Sequence, residues 1–378
     1  MQTILIVDAK SVIRTGGKFV LGRHSKYREA LITQSTCSYE LRIVDQFGIY
    51  TPTHSFNLDN SATEHKGNLF HFIYSLVKLS KSDKSIRLLV AGDPWLSAIA
   101  ALIVKSLSKT SPSIQIQVHG DIGNKRWKFK SLRNFLKYLV ALITLRHAVS
   151  IRCVGLTQSK NLSNAFRIDQ SRISIIPVQL SLSMQTIYSK KFDAKDLVIG
   201  FVGRIHKERS CEKLLTILSV LTAEGYAFTL KVIGDGPGLG KFAKFLATNL
   251  PTIRVVYSGW IEEDVLAEEF KKMDILISTA DFEAYGRSIR EAEVLGISVL
   301  ATNSSGVVDA ARESKTGLIH VLETLKDEEA VLNEFKRILT SRQQTQKDNF
   351  RVAEFVPGIR QDIPMELARL WISLGQKQ

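Results

Sequence analysis

Residues 281–296 read DFEAYGRSIREAEVLG and follow a short apolar run, DILIS, at 274–278. The run has the length and composition of a buried strand, and the glycine at 286 ahead of a helical pattern marks a strand-to-helix junction. Two glutamates, Glu283 and Glu291, are eight residues apart. On one continuous helix they would be about 80° away from sharing a face. The glycine instead puts Glu283 in the loop and Glu291 inside the helix, whose first amides can point at a ligand. A carboxylate that accepts two neighbouring hydroxyls is the chemistry of sugar and ribose recognition. The same pattern also serves a plain helix, with an N-terminal glutamate complementing the dipole and an exposed Glu293.

Outward from this junction, short β-branched runs alternate with longer helical patterns, the signature of βαβ units and parallel sheets. Strands are expected at 197–203, 228–233, 253–258, 274–278, 299–302 and 317–321 in the second half, and at 4–7, 41–44, 86–91, 114–118, 151–156 and 173–176 in the first. The aperiodic PVQLSLSMQTIYSKKFDAKD at 177–196 separates them. The expected organisation is an N-terminal domain over 1–180, a linker over 181–196, a C-terminal domain over 197–356 and a C-terminal helix within 357–378 that packs back on the N-terminal domain. In such sheets ligands bind at the carboxyl ends of the strands, so the loops there carry the function.

With 378 residues and 44% apolar content the chain can bury the cores of two domains. Its net charge of +14 points to an anionic partner: nucleotide, nucleic acid, acidic glycan or membrane surface. Cys37, Cys153 and Cys211 are scattered, with no CxxC spacing for zinc or redox chemistry, which suits a reducing cytosol. The longest apolar runs, at 97–104 and 139–145, fall short of the roughly 20 residues that span a bilayer. MQTILIVDAK lacks a basic n-region and reads as a first strand, so the expected location is cytoplasmic.

Three further loops carry candidate chemistry. RTGG at 14–17 brings paired glycines to a helix start, where amides can cradle a phosphate; an ordinary flexible loop has the same composition. FVGR at 201–204, with Arg209 beyond it, offers two guanidiniums that can hold a diphosphate, or a solvated basic loop with His206 and Lys207. IGDGPG at 233–238 makes a tight turn that can pass close to a nucleobase.

Taken in order, FVGRIHKER, VIGDGPG, YSGWIEEDVLAEEFKKMDILIST and FEAYGRSIREAEVLGISVLATNSSGVVDAARESKTGLI resemble family 4 of the retaining glycosyltransferases with the GT-B fold, over about residues 197–322. The resemblance implies an α/β protein of two Rossmann-like domains facing each other across a cleft. It also implies a metal-independent, hexosyltransferase-type enzyme that needs no cofactor and takes a nucleotide-sugar as co-substrate. Glu283 and Glu291 match the family's glutamate pair, the first expected near the donor sugar and the second on the ribose hydroxyls. Arg204 matches the diphosphate-gripping arginine. The chain departs in having Arg209 where the family usually has lysine, Ser210 where it has glycine, and IPVQL at 176–180 in place of an asparagine-glycine pair. In the first half, Gly16 and Gly17 fit the glycine loop, and His119 fits a histidine near the donor sugar. The candidate catalytic set is thus Glu283, Arg204, Arg209 and His119, and the donor-binding set is Gly16, Gly17, Gly203, Gly234, Gly286, Arg287 and Glu291. No DxD occurs, and no metal site is expected.

Residues 122–168 contain ten lysines and arginines and no acid. Within them Lys125, Arg126, Trp127, Lys128, Lys130, Arg133 and Lys137 alternate with aromatic and aliphatic residues, as an interfacial helix does. The resemblance implies a nucleotide-sugar donor and a saccharide acceptor as partners; charge and the family's habit together suggest that the acceptor is lipid-linked, and the basic segment adds an anionic membrane surface at the cytoplasmic face. A helix packing its apolar side on the sheet while its cations stay in solvent would have the same composition. Nucleic acid fits poorly, since no reading motif accompanies the charge. Two rivals to a transferase in cell-envelope polysaccharide synthesis are another nucleotide-sugar enzyme, such as an epimerase, and a non-catalytic nucleotide-sugar-binding protein. A dehydrogenase would need a glycine fingerprint after the first strand, which is absent.

Overall fold

The computed structural model describes residues 2–10, 13, 17–35, 39–52, 69–180, 196–206, 209–348 and 362–376. Contacts divide the chain into two units, Met1–Pro177 with Gln361–Gln378, and Val178–Arg360. The division falls just before residue 180, and the expected linker at 181–196 lies, save its last residue, outside the described residues.

Unit one holds β1 (Gln2–Val7), β2 (Tyr39–Asp45), β3 (Gly48–Tyr50), β4 (Ile86–Ala91), β5 (Ser113–Gln117), β6 (Ser150–Cys153) and β7 (Ile173–Ile175), in the sheet order β3-β2-β1-β4-β5-β6-β7. Its helices are α1 (Gly17–Gln34), α2 (Leu69–Ser82), α3 (Leu96–Leu107), α4 (Lys125–Phe129), α5 (Leu132–His147) and α6 (Leu156–Phe166). All strand pairs are parallel except β2 with β3. β3 is not legible along the chain, because three residues are too few to show alternation. It forms because Asp45 Oδ1 accepts from the amides of Phe47 and Gly48 and folds the chain back. The strand expected at 151–156 stops at Cys153, and extended Gly155 leads into α6.

Alternation along β1 sorts the core. Ile4 and Ile6 point to the face covered by α1, while Leu5 and Val7 join the cluster under α2, α3, α5 and α6. Both faces are covered, so the strands read as continuous apolar runs.

Unit two holds β8 (Val198–Val202), β9 (Thr229–Ile233), β10 (Arg254–Gly259), β11 (Ile275–Ser278), β12 (Ser298–Thr302) and β13 (Ile319–Leu322), in the order β10-β9-β8-β11-β12-β13 and parallel throughout. The helices α7 (Cys211–Ala223), α8 (Leu239–Asn249) and α12 (Glu328–Asp348) cover one face, and α9 (Glu263–Lys271), α10 (Arg287–Val294) and α11 (Ser305–Glu313) the other. The order reverses between β8 and β11. Loops leaving these two strands therefore diverge to opposite faces and leave a crevice at their carboxyl ends, the ligand position of doubly wound sheets.

The last helix, α13 (Ile363–Gln376), belongs to unit one. Trp371 is fully buried, its indole donates to Gln115 Oε1 at 2.7 Å, and its ring meets that of Tyr27 edge-on. The amphipathic pattern around Met365, Leu367, Leu370 and Trp371 is what lets this terminal helix complete a core begun at the other end of the chain.

Candidate functional site

The loops after β8 and β11 flank the crevice at the reversal point of unit two. In the first, Gly203 donates its amide to Ile233 O at 2.9 Å, and Ile205 donates to Asp235 O at 2.8 Å. The second glycine loop is thereby zipped to the first. Gly234 makes this contact feasible: it sits at φ 129°, and a Cβ there would lie 2.1 Å from Gly203 O. IGDGPG is therefore a backbone support for the turn that carries Arg204, which is exposed at the carboxyl end of β8.

Arg209 closes the same loop. Its carbonyl accepts from Thr279 Oγ1 at 3.0 Å, and its Nη1 donates to Glu283 Oε2 at 2.7 Å. The other oxygen of Glu283 accepts from the amides of Gly286 at 3.1 Å and Tyr285 at 3.4 Å. One carboxylate thus ties the β8 loop to the β11 loop and orders the backbone that enters α10. Next to it, Lys213 Nζ lies 2.6 Å from Asp281 Oδ1. No side chain caps α10, whose N-cap Gly286 is left-handed at φ 75°.

Glu291 is placed inside α10 with its side chain 3% exposed, and Arg287, one turn earlier, donates from Nε to its Oε1 at 2.8 Å. Arg287 is 31% exposed. The guanidinium lies between the carboxylate and solvent.

The idea of an exposed Glu293 is overturned. Glu293 is 1% exposed and accepts from Thr316 Oγ1 at 2.7 Å and from Ser314 Oγ. Burial pushes its carboxyl above the usual range, against the pull of these two hydroxyls. Three residues the sequence did not single out complete the support. Arg290, 2% exposed, donates from Nε to Tyr285 O at 3.1 Å, pairs with Glu313 at 2.8 Å and lies over the Tyr285 ring. Gly306 donates its amide to Glu283 O at 2.7 Å, and a Cβ on it would stand 2.5 Å from Tyr285 N. Thr279 is the third, through its bond to Arg209. The glycine in NSSG was the one readable signal among them.

In unit one, Gly16 lies outside the described residues and Gly17 opens α1. His119 follows β5 with its Nε2 3.2 Å from Gln117 Oε1. Its imidazole is pushed below the ordinary range, first by desolvation and then by the charge of Arg152 and Arg23. Solvent reaches the exposed ring and weakens the first effect, but the cations remain and favour the neutral form. Arg152 itself is buried and donates to Ile176 O at 3.1 Å and Pro177 O at 2.8 Å, anchoring the chain where unit one ends.

The basic segment is sorted by the fold. Lys125, Arg126, Lys130 and Arg133 are exposed. Trp127 is half-buried and stacks on Trp95, 6.3 Å between centroids, with one side against the core. Lys128 lies 4.0 Å over the Tyr138 ring and Lys137 4.2 Å over Trp95, so both are drawn onto aromatic faces. Among the described residues no helix is long and apolar enough to cross a membrane.

Residues 185–351 match the family model described as Glycosyl transferases group 1. The sulfoquinovosyl transferase SQD2 of Arabidopsis thaliana is 24% identical over 70% of this chain and 54% of its own length. The matches span from about a third to about half the length of the first curated relatives. A capsular polysaccharide biosynthesis glycosyltransferase, CapM of Staphylococcus aureus, is 22% identical over 50% of this chain and 53% of its own length. Among solved structures, sucrose-phosphate synthase from Thermosynechococcus elongatus superposes with a TM-score of 0.75 at 16% identity, over all of both chains. Anabaena HepE, solved with UDP and glucose, gives 0.64 at 15% identity over 99% of this chain and 100% of that one. The chain thus has the GT-B fold, and the region that holds Arg204, Arg209, Glu283 and Glu291 is the region that matches the group 1 glycosyl transferases.

Proposed function

We propose that this protein is a retaining glycosyltransferase that moves a sugar from a nucleotide-sugar to a saccharide acceptor carried on a lipid, in cell-envelope polysaccharide synthesis at the cytoplasmic membrane face. The observation that carries the reading is the Arg209–Glu283 bond at the reversal point of unit two, with Glu291 set in the helix that follows. It is supported by the family match over 185–351 and by the fold shared with a protein solved with UDP and glucose.

Transfer breaks the bond between the anomeric carbon and the diphosphate oxygen and forms one to the acceptor hydroxyl, whose proton is released. The negative charge that grows on the leaving diphosphate is the demand to be met. Arg209, held by Glu283, and Arg204 at the end of β8 supply guanidiniums for it, and the uncapped amides at the start of α10 add partial positive charge, with no metal invoked. Glu291 accepts the ribose hydroxyls once Arg287 turns away. Glu283 holds Arg209 and the 285–286 amides in place beside the sugar.

A calorimetric panel of UDP, GDP, ADP and their sugars in EDTA, on wild type and Glu291→Gln, tests this. Selective binding of one nucleotide, weakened about tenfold or more in the variant, is expected from the loss of a charge-assisted hydrogen bond. A folded protein that binds none of them would sink the reading. Binding without turnover on any acceptor would favour the non-catalytic binding protein.

A further inference from the structure

The helix α5 is amphipathic in the wrong sense for a surface helix. Its inner side is satisfied by Ala141, Thr144 and Leu145, which are buried in the core of unit one. Its outer side, where water is expected, presents Leu132, Leu136, Leu139 and Ile143 at 74%, 53%, 41% and 61% exposure. These positions follow a spacing of four, three and four residues and so form one stripe along the helix. Beside it, α3 exposes Ile99, Ile103 and Leu107 at intervals of four. Between the two helices runs an open groove of about 510 Å³, floored by Trp95, Leu96, Leu136 and Val140, with Arg133 and Lys137 on its lining. Phe129, 71% exposed, stands at the end of α4 just before α5. Single exposed hydrophobes need no explanation; two neighbouring stripes around an apolar groove do.

The geometry points to this face of α3 and α5 as a docking surface for a bilayer containing anionic lipid, with the leucine stripe entering the acyl boundary and Arg126, Lys130 and Arg133 on the headgroup phosphates. Charge selects the occupant. Arg126, Lys130 and Arg133 are exposed next to the stripe and no acid occurs between 122 and 168, so a second copy of the same face would meet like charge. A nucleic acid would satisfy the cations but cover the leucines with phosphate. An anionic bilayer meets both demands, since its phosphates lie above its acyl chains. The inference deepens the reading of a lipid-linked acceptor and rests on that reading for its purpose, though not for its geometry.

Flotation of the full chain with phosphatidylcholine vesicles, and with a two-to-one mixture of phosphatidylcholine and phosphatidylglycerol, tests it. Binding should be at least tenfold stronger to the mixture. Arg126→Gln with Arg133→Gln should lower it by about 25-fold, taking about fivefold in partitioning per cation near the surface. Leu132→Ser with Leu136→Ser should lower it too, and should also abolish the binding that remains at about 1 M salt, where screening acts within about 3 Å. Unchanged thermal melts show that the variants fold. Absent binding, equal binding to both vesicles, or a leucine pair that floats like wild type would overturn the inference. So would a leucine pair that only turns a dimer into a monomer in sedimentation velocity. The nucleotide panel is run without vesicles, so its failure would sink the transferase reading and leave the flotation result legible.

Discussion

Arg209 and Glu283, 74 residues apart in sequence, meet through a 2.7 Å bond that joins the loops leaving β8 and β11. The bond occupies one carboxylate oxygen while two backbone amides occupy the other, so Glu283 both places Arg209 and shapes the entry to α10. Glu283→Gln keeps the size and loses the charge. With the donor identified by the nucleotide panel, turnover should fall about a hundredfold or more, the scale of losing one preorganised electrostatic contact. Nucleotide affinity should stay within about threefold, because Glu291 and Arg204 are untouched. Equal losses in affinity and turnover would show that Glu283 serves binding alone.

Ser210 stands at φ 48° and ψ 55°, the left-handed region, as the N-cap of α7, and its side chain makes no capping bond there. A serine in this conformation pays the steric cost that glycine avoids, about 1 kcal/mol. Ser210→Gly should therefore raise the unfolding free energy by up to about 1 kcal/mol in urea, a little less after the added freedom of the unfolded chain. A destabilised variant would mean that the hydroxyl has a role the geometry does not show.

Gly234→Ala meets both a positive φ and a carbonyl 2.1 Å away, and Gly306→Ala meets the backbone of Tyr285 at 2.5 Å. The first should destabilise unit two by about 3 kcal/mol, strain and overpacking together. The second should displace the 283–286 loop, so that nucleotide binding weakens more than the thermal midpoint falls. If Gly306→Ala lowers both in proportion, its role is packing and not placement of the loop.

Glu293 gives a pH-dependent prediction. Its folded pKa is raised by burial, so its contribution to stability is fully present below the unfolded value and is lost as pH rises through the raised one. Glu293→Gln keeps an acceptor for Ser314 and Thr316 and cannot ionise. Its melting temperature should match wild type in mild acid and exceed it increasingly as pH rises, since only wild type can then be driven to hold a buried charge. A variant less stable at every pH would show that the ionised carboxylate is favoured in place.

Much of the architecture was written locally. Each expected strand lies at or within a few residues of an observed one, because a parallel strand covered on both faces must be an unbroken apolar run, and such runs are visible in one dimension. The loop positions of Arg204, Arg209 and Glu283 were legible for the same reason: they sit where those runs end. Their contacts were not. A helical pattern says that Arg290 and Glu293 lie in a helix, but their burial depends on α11 and the 313–316 loop packing across them. The stacking of Trp127 on Trp95 was equally illegible, because an aromatic between cations fits an interface as well as it fits another ring.

The sequence by itself determined the βαβ order, the two-part division, the surplus of positive charge and the candidate loops, since each is a property of neighbours along the chain. Only the tertiary structure decided which side of α5 faces water, which glycines let two backbones touch, and that Arg209 and Glu283 hold each other. Those outcomes depend on elements far apart in sequence competing for the same space, and periodicity along one segment does not record what packs against it.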